Sequence, residues 1–229
     1  MSYLITRGDD AGTFQSANRA MRDCVEKGIL RHISLMAPTP EIQHAAKVFD
    51  GLKSCLFGIH LTLHSEWNYP QWGALSSGDP SNPLLQSEDQ FLASPQDWDT
   101  ENPPIEAILK EAEAQLNALH KQGFKISYWD DHMCFTWMKP VREALTQEFG
   151  IKHGIPFLDS QLYDMPKIEP LDGEWESDFF LRQVNELGKR DTMGFKLAHP
   201  CYRETDVENA QPRQPSKISI ADSREQQRQ

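Results

Sequence analysis

An alternation constrains this chain more than any other feature. Short, continuously apolar segments recur along it, and amphipathic helical segments separate them. "YLIT" reads as a buried strand. After Thr13, placed as an N-cap, "FQSANRAMRDCVEKG" sets Phe14, Ala17, Met21, Cys24 and Val25 on one helical face and stops at Gly28. "HISLMAP" reads as a strand and "PEIQHAAKVFDGL" as a helix with proline in its first turn. "CLFGIHLTL" is a third strand, and a long polar stretch carrying Pro and Trp follows it, from His64 to Pro103. "PPIEAILKEAEAQLNALHKQG" is the clearest helix, with Ile105, Ile108, Leu109, Ala112, Leu116 and Leu119 in register. Then come a strand over "KISYWDDH", a helix over "KPVREALTQEFG", a candidate strand over "KHGIPFL", a helix over "ESDFFLRQVNELG" and a last strand over "MGFKLAHP".

Strands that are apolar throughout, separated by helices, predict a parallel sheet covered on its faces. The α/β architecture expected is an irregular (β/α) barrel with parallel strands, incomplete at the C-terminus; an open doubly wound sheet is the alternative. Residues 1–202 form the barrel domain. Residues 203–229 are polar, Gln-rich and nearly free of large apolar side chains, which predicts a disordered tail. In either architecture chemistry collects where the strands end.

Composition narrows the function. The net charge of −11 over 229 residues disfavours nucleic-acid partners, which demand a basic face. No apolar run approaches a membrane span, so no membrane partner is expected. The opening "MSYLITRGDD" lacks the basic and apolar regions of a signal peptide, and the expected location is cytoplasmic. Cys24, Cys55, Cys134 and Cys201 show no paired spacing and are expected as free thiols.

Strand ends gather the ionisable groups. Asp9 and Asp10 follow the first strand, His60 lies in the third, His132 ends "YWDDH" and His199 ends "FKLA". Each has a bland alternative: a turn for the aspartates, a core histidine for His60, a solvated turn for His132, an extended pre-proline residue for His199. Parallel strands would bring all of them to one rim. Two histidines and one carboxylate form a frequent divalent-metal set, and a second carboxylate beside them is available as a base. Which aspartate does which is not settled by their adjacency.

The segments "LITRGDDAGTFQSANRAMRDCVEKGILRHISLMAP", "GIHLTL", "WDDH" and "HPCY" resemble, in that order, the YdjC-like family of carbohydrate deacetylases, which includes the chito-oligosaccharide deacetylases. The resemblance implies an irregular (β/α) barrel and metal-dependent removal of acetyl from an N-acetylated amino sugar. It implies Asp10, His60 and His132 as metal ligands, Asp9 as general base and His199 as the acid that protonates the departing amine. Magnesium is the cofactor the family implies first, and zinc is the alternative that two imidazoles suit. Trp67 and Trp72 are candidates for stacking on a sugar face, or else anchors of the long segment. The implied partner is a small carbohydrate, with a homodimer left open. The chain departs from the family at Arg7-Gly8, where Asn-Ala is usual, at Ala11 in place of Phe, and at Cys134 and Thr136, where further histidines are common. Its C-terminal end departs most. Two other classes compete: a catalytically weak sugar-binding relative, and a non-haem iron oxygenase built on the same ligand set.

Overall fold

The computed structural model describes residues 1–76, 82–87, 90–99, 101–163, 165–172, 174 and 176–212. In chain order the elements are β1 Tyr3–Ala11, α1 Gln15–Glu26, β2 His32–Leu35, α2 Ile42–Phe49, β3 Leu56–Leu61, β4 Trp67–Tyr69, β5 Leu85–Ser87, β6 Gln90–Phe91, α3 Ile105–Lys121, β7 Ile126–Asp131, α4 Lys139–Ala144, α5 Ile151–His153, α6 Glu176–Gly188, β8 Met193–Ala198, α7 Thr205–Glu208 and β9 Gln211–Pro212. A π-helical turn over Leu145–Gly150 joins α4 to α5.

Five strands make one parallel sheet in the order β7-β3-β2-β1-β8, the α/β arrangement the alternation predicts. The last strand lies beside the first, as it would in a barrel. At the other edge a single parallel bridge from Trp129 to Phe157 extends the arc. The expected strand over "KHGIPFL" is reduced to that bridge, because residues 151–153 continue the preceding helix until Gly154 turns left-handed at φ 67°. Apolar side chains fill one face of the sheet, where Ile33, Leu35, Ile59, Leu61 and Trp129 are fully buried, and the other face carries Ser34, His60 and Asp130. Two smaller expectations also fail. Phe14, not Thr13, occupies the cap position of α1, because the Thr13 hydroxyl donates to the Asp10 carbonyl instead. Pro40 precedes α2, whose cap is Glu41.

The polar stretch after β3 is tied down from two sides. Helix α3 presents the apolar face expected of it, with Ile108, Ala112, Leu116 and Leu119 buried, but also buries Glu111 and Gln115. The Gln115 amide pairs with both backbone groups of Thr62, at 3.0 and 2.6 Å, and the Glu111 carboxylate accepts from the amides of Leu75 and Ser76. Trp67, Trp72, Leu84, Phe91 and Trp98 fill the space beneath the stretch.

The polar tail begins inside the fold. From residue 203, where disorder is expected, the chain forms α7 and then β9, which pairs antiparallel with β4. Val207 is buried, and the Asp206 carboxylate accepts from the backbone amide of Ser16. One buried apolar side chain, an acceptor at the start of α1, an Arg19–Glu204 ion pair and the β4–β9 pairing dock a segment that reads as uniformly polar. The rest of the expected tail, 213–229, lies outside the described residues.

Candidate active site

Strand register brings the ionisable groups to one edge. His60 of β3 pairs in register with Asp130 of β7, and Gly8 of β1 with Ala198 of β8, so Asp9, Asp10, His60, His132 and His199 share the C-terminal rim of the sheet. Close packing sets part of this register. A side chain at Gly58 would meet the Tyr128 ring at 2.1 Å, so glycine lets that ring cross β3. The Tyr128 hydroxyl then reaches Ser34, which donates to Asp130 at 2.6 Å.

Asp10 leaves the strand conformation at φ 65°, a left-handed backbone that aspartate tolerates better than most side chains, at an expense of about 1–3 kcal/mol. The turn is held by Thr13, whose amide and hydroxyl both donate to the Asp10 carbonyl, and by the Asn18 side chain, which accepts from the Gly12 amide. Gly12, at φ 101°, has no space for a side chain: a Cβ would lie 2.6 Å from the Thr39 hydroxyl. The "DDAG" sequence is thus a device that turns one carboxylate out of the strand while the other stays in it.

Three donor atoms converge. Asp10 Oδ1 lies 3.5 Å from His60 Nε2 and 3.4 Å from His132 Nδ1, and those two nitrogens are 3.3 Å apart. A point equidistant from the corners of so nearly equilateral a triangle is about 2.0 Å from each, the bond length of Zn²⁺ or Mg²⁺ to nitrogen and oxygen and shorter than that of Ca²⁺. All three side chains are buried. The donor set therefore fits a small divalent cation. His199 Nε2 stands 3.9 Å from Asp10 Oδ2, with its side chain about a third exposed.

The opposite ring nitrogens are also engaged. His60 Nδ1 donates to Asp130 Oδ1 at 2.6 Å, and His132 Nε2 donates to Glu66 Oε2 at 2.9 Å. Behind them sits a buried arginine. Arg7 donates through Nε and Nη2 to both oxygens of Asp9, at 2.6 and 2.7 Å, and its Nη1 lies 2.8 Å from Asp130 Oδ2. Burial works against charge on both imidazoles, and the carboxylates outweigh it. Asp130 and Asp9 hold His60 well above its ordinary value, and Glu66 with Asp10 lifts His132 to about 9. Burial pushes Asp130 up, but Arg7 and His60 outweigh it and hold its carboxyl below the usual range. A field that attracts protons to two buried imidazoles attracts a divalent cation for the same reason.

The YdjC-like protein family matches residues 3–227. The chain belongs to this family. Among curated relatives it is similar to a carbohydrate deacetylase of Vibrio cholerae serotype O1, 26% identical over 156 residues that span 68% of this chain and 58% of that protein. It is also similar to carbohydrate deacetylase 1 of Listeria innocua, 24% identical over 65% of this chain and 58% of that protein. A carbohydrate deacetylase of Vibrio parahaemolyticus is 20% identical over 88% of this chain and 79% of its own length. The chain thus spans a little under three fifths of the first two relatives. A candidate cellobiose-phosphate cleavage protein of Enterococcus faecalis shares the fold, with a TM-score of 0.67 at 14% identity over 99% of this chain and 89% of that one.

Of the site residues expected from the YdjC-like resemblance, Asp10, His60 and His132 come together, and His199 stands beside them. Asp9 adjoins the group but faces Arg7. Trp67 and Trp72 do not offer a sugar-binding surface: both are buried, at 4% and 2% exposure, and they anchor the polar stretch instead. The Trp72 indole donates to the His64 carbonyl at 2.7 Å. Three further residues belong to the site: Arg7, Asp130 and Glu66. A charged residue inside the apolar run "YLITRG" was the signal for Arg7, and the "DD" before His132 the signal for Asp130. Glu66 carried none, being one acid in a polar stretch.

Proposed function

We propose that this protein is a metal-dependent carbohydrate N-deacetylase, hydrolysing the acetamide of an N-acetylated amino sugar or oligosaccharide. The observation that carries the reading is the triangle of Asp10, His60 and His132, with edges of 3.3–3.5 Å. Family membership and the names of the relatives support it. These three side chains would hold the cation, magnesium by the family resemblance and zinc by the softness of two imidazoles. When bound, the cation supplies Lewis-acid polarisation of the acetamide carbonyl and stabilises the negative charge that develops on its oxygen.

The remaining work falls to the chain itself. Asp9 takes a proton from the attacking water; the Arg7 pairing uses one lone pair on each Asp9 oxygen and leaves a second on each. The hydroxide adds to the carbonyl carbon, and the C–N bond breaks as His199 donates a proton to the sugar nitrogen. Acetate and a free amino sugar leave. Each of the two proton transfers is worth about 10²–10⁴-fold. His199 is suited by place, since it adjoins Asp10 and is accessible from solvent.

One observation favours a second reading, a sugar-binding relative of low activity. Both Asp9 oxygens are held by a buried guanidinium at the position where the family has asparagine. The deciding experiment is a metal assay of the purified protein, then an acetate-release screen over N-acetylated mono- and oligosaccharides with and without chelator. Metal-dependent acetate release is expected. Sugar binding by the metal-loaded protein without acetate release would select the second reading.

A further inference from the structure

Each imidazole of the triangle can present either of two nitrogens, and something must choose. For His60 the choice is made from within the sheet. Asp130, opposite it in register, takes Nδ1, and Asp130 is itself fixed by Ser34 at 2.6 Å and Arg7 at 2.8 Å. His132 has no such strand neighbour. It is the last residue before Met133 and Cys134, both left-handed at φ 62° and 54°, so regular secondary structure ends beside it. The group that meets its Nε2 comes from the loop between β3 and β4.

That group is Glu66, whose carboxylate has no part in the chemistry described above. Its Oε2 accepts from His132 Nε2 at 2.9 Å, and its Oε1 accepts from the Trp67 indole. Trp67 is buried, packs edge-on to Phe14 at 5.7 Å, and belongs to β4, which the C-terminal β9 pairs with. The carboxylate is therefore braced from behind by the fold. We infer that Glu66 is a positioning residue of the cation site: by taking the Nε2–H of His132 it commits Nδ1 to face Asp10 and His60. This rests on the reading of Asp10, His60 and His132 as cation ligands. Outer carboxylates that orient ligand imidazoles in this way typically change metal affinity by about 10–100-fold. The two imidazoles are then aimed by two different devices, one in the sheet and one on a loop.

The test uses the full-length protein as wild type, Glu66→Ala and Glu66→Gln, with melting temperature as the control for folding. Solvent exchange of the His132 Nε2–H proton is followed by NMR in metal-free protein, and Mn²⁺ and Zn²⁺ affinities are measured by titration. The wild-type proton should exchange slowly, and in Glu66→Ala it should exchange fast while metal affinity falls about 10–100-fold. Glu66→Gln keeps an acceptor without charge, so its proton should stay protected but resonate upfield, with affinity within about tenfold of wild type. An unmoved resonance in Glu66→Gln overturns the assignment even if the alanine variant fails to fold. So does a folded Glu66→Ala protein with wild-type affinity, or a wild type that binds neither ion. If proton and affinity respond as stated but no sugar releases acetate, the positioning role stands and the deacetylase reading falls.

Discussion

Three residues separate His60 from His64, and the two imidazoles live under opposite rules. Both are buried, at 3% and 0% exposure, as is His132 at 5%. His60 and His132 face four carboxylates between them and are held on the proton-binding side of their ordinary value. His64 lies against the Trp98 ring at 4.4 Å and the Phe135 ring at 6.0 Å, and among the described residues neither of its nitrogens has a hydrogen-bond partner. Burial, with the His132 charge added, lowers it to about 3. Depth in the protein does not decide what a histidine does; the neighbours that burial leaves it with decide. One region is built to accept positive charge and the other to refuse it.

The surest way to break this contrast is to remove the carboxylate on which the first region converges. Asp10→Asn should abolish turnover and most divalent-ion binding, because an amide is a poor ligand and carries no charge to balance a cation. Calorimetric titration and acetate release measure the two losses. Asp9→Asn should behave differently. It should keep the ion while the rate falls about 10²–10⁴-fold, since an amide cannot take the proton from water. Parallel loss of metal and rate in both variants would give the aspartate pair one shared structural role and remove the base assignment. Arg7 supplies the permanent positive charge of the acid-rich region, beside imidazoles that bind protons in the absence of metal. Arg7→Met should cost about 3–5 kcal/mol of stability, read by chemical denaturation, because Asp9 and Asp130 would stay buried without their partner. Bound divalent ion should recover part of that loss.

Much of this contrast was legible in the sequence, and the illegible part has a physical pattern. Apolar runs and helical periodicity revealed all five strands of the parallel sheet and the helices between them. The same strand ends placed Asp9, Asp10, His60, His132 and His199 on one rim, and the family resemblance, not the strand pattern, singled out Asp10, His60 and His132 among them. What escaped were contacts made by single side chains across long separations. Glu66 reaches His132 over 66 residues, and Val207 docks a segment that is otherwise polar. Neither leaves a periodic trace. Trp67 and Trp72 were left with two readings for a related reason: an aromatic ring in a polar stretch suits an anchor and a sugar platform equally, and their burial speaks for the anchor. His64 stands in the loop after β3, at the head of the polar stretch, but the aromatic rings that enclose it come from Trp98 and Phe135, far along the chain.

The smallest predicted effect sharpens the comparison most, because it has a sign. In the folded protein His64 titrates at about 3, against about 6.5 for an unfolded histidine. A depressed folded value means that the unfolded chain takes up the proton first. Stability from keeping His64 neutral is therefore complete above about pH 6.5 and drains away as pH falls from there toward 3. Between pH 7 and pH 5 the loss is about 2 kcal/mol, from 1.36 kcal/mol for each unit by which pH lies below the unfolded value. His64→Leu abolishes this term, whatever its effect on absolute stability. Denaturation at the two pH values, for wild type and variant, isolates it as the difference between two differences. His132, raised to about 9, has the reverse sign in metal-free protein: its contribution is complete below about 6.5 and is lost as pH rises through 9. The variant should therefore flatten only the acid side of the stability profile. If His64→Leu instead leaves the slope between pH 7 and 5 unchanged, His64 reaches solvent or a proton acceptor in solution, and the two regions are not opposites.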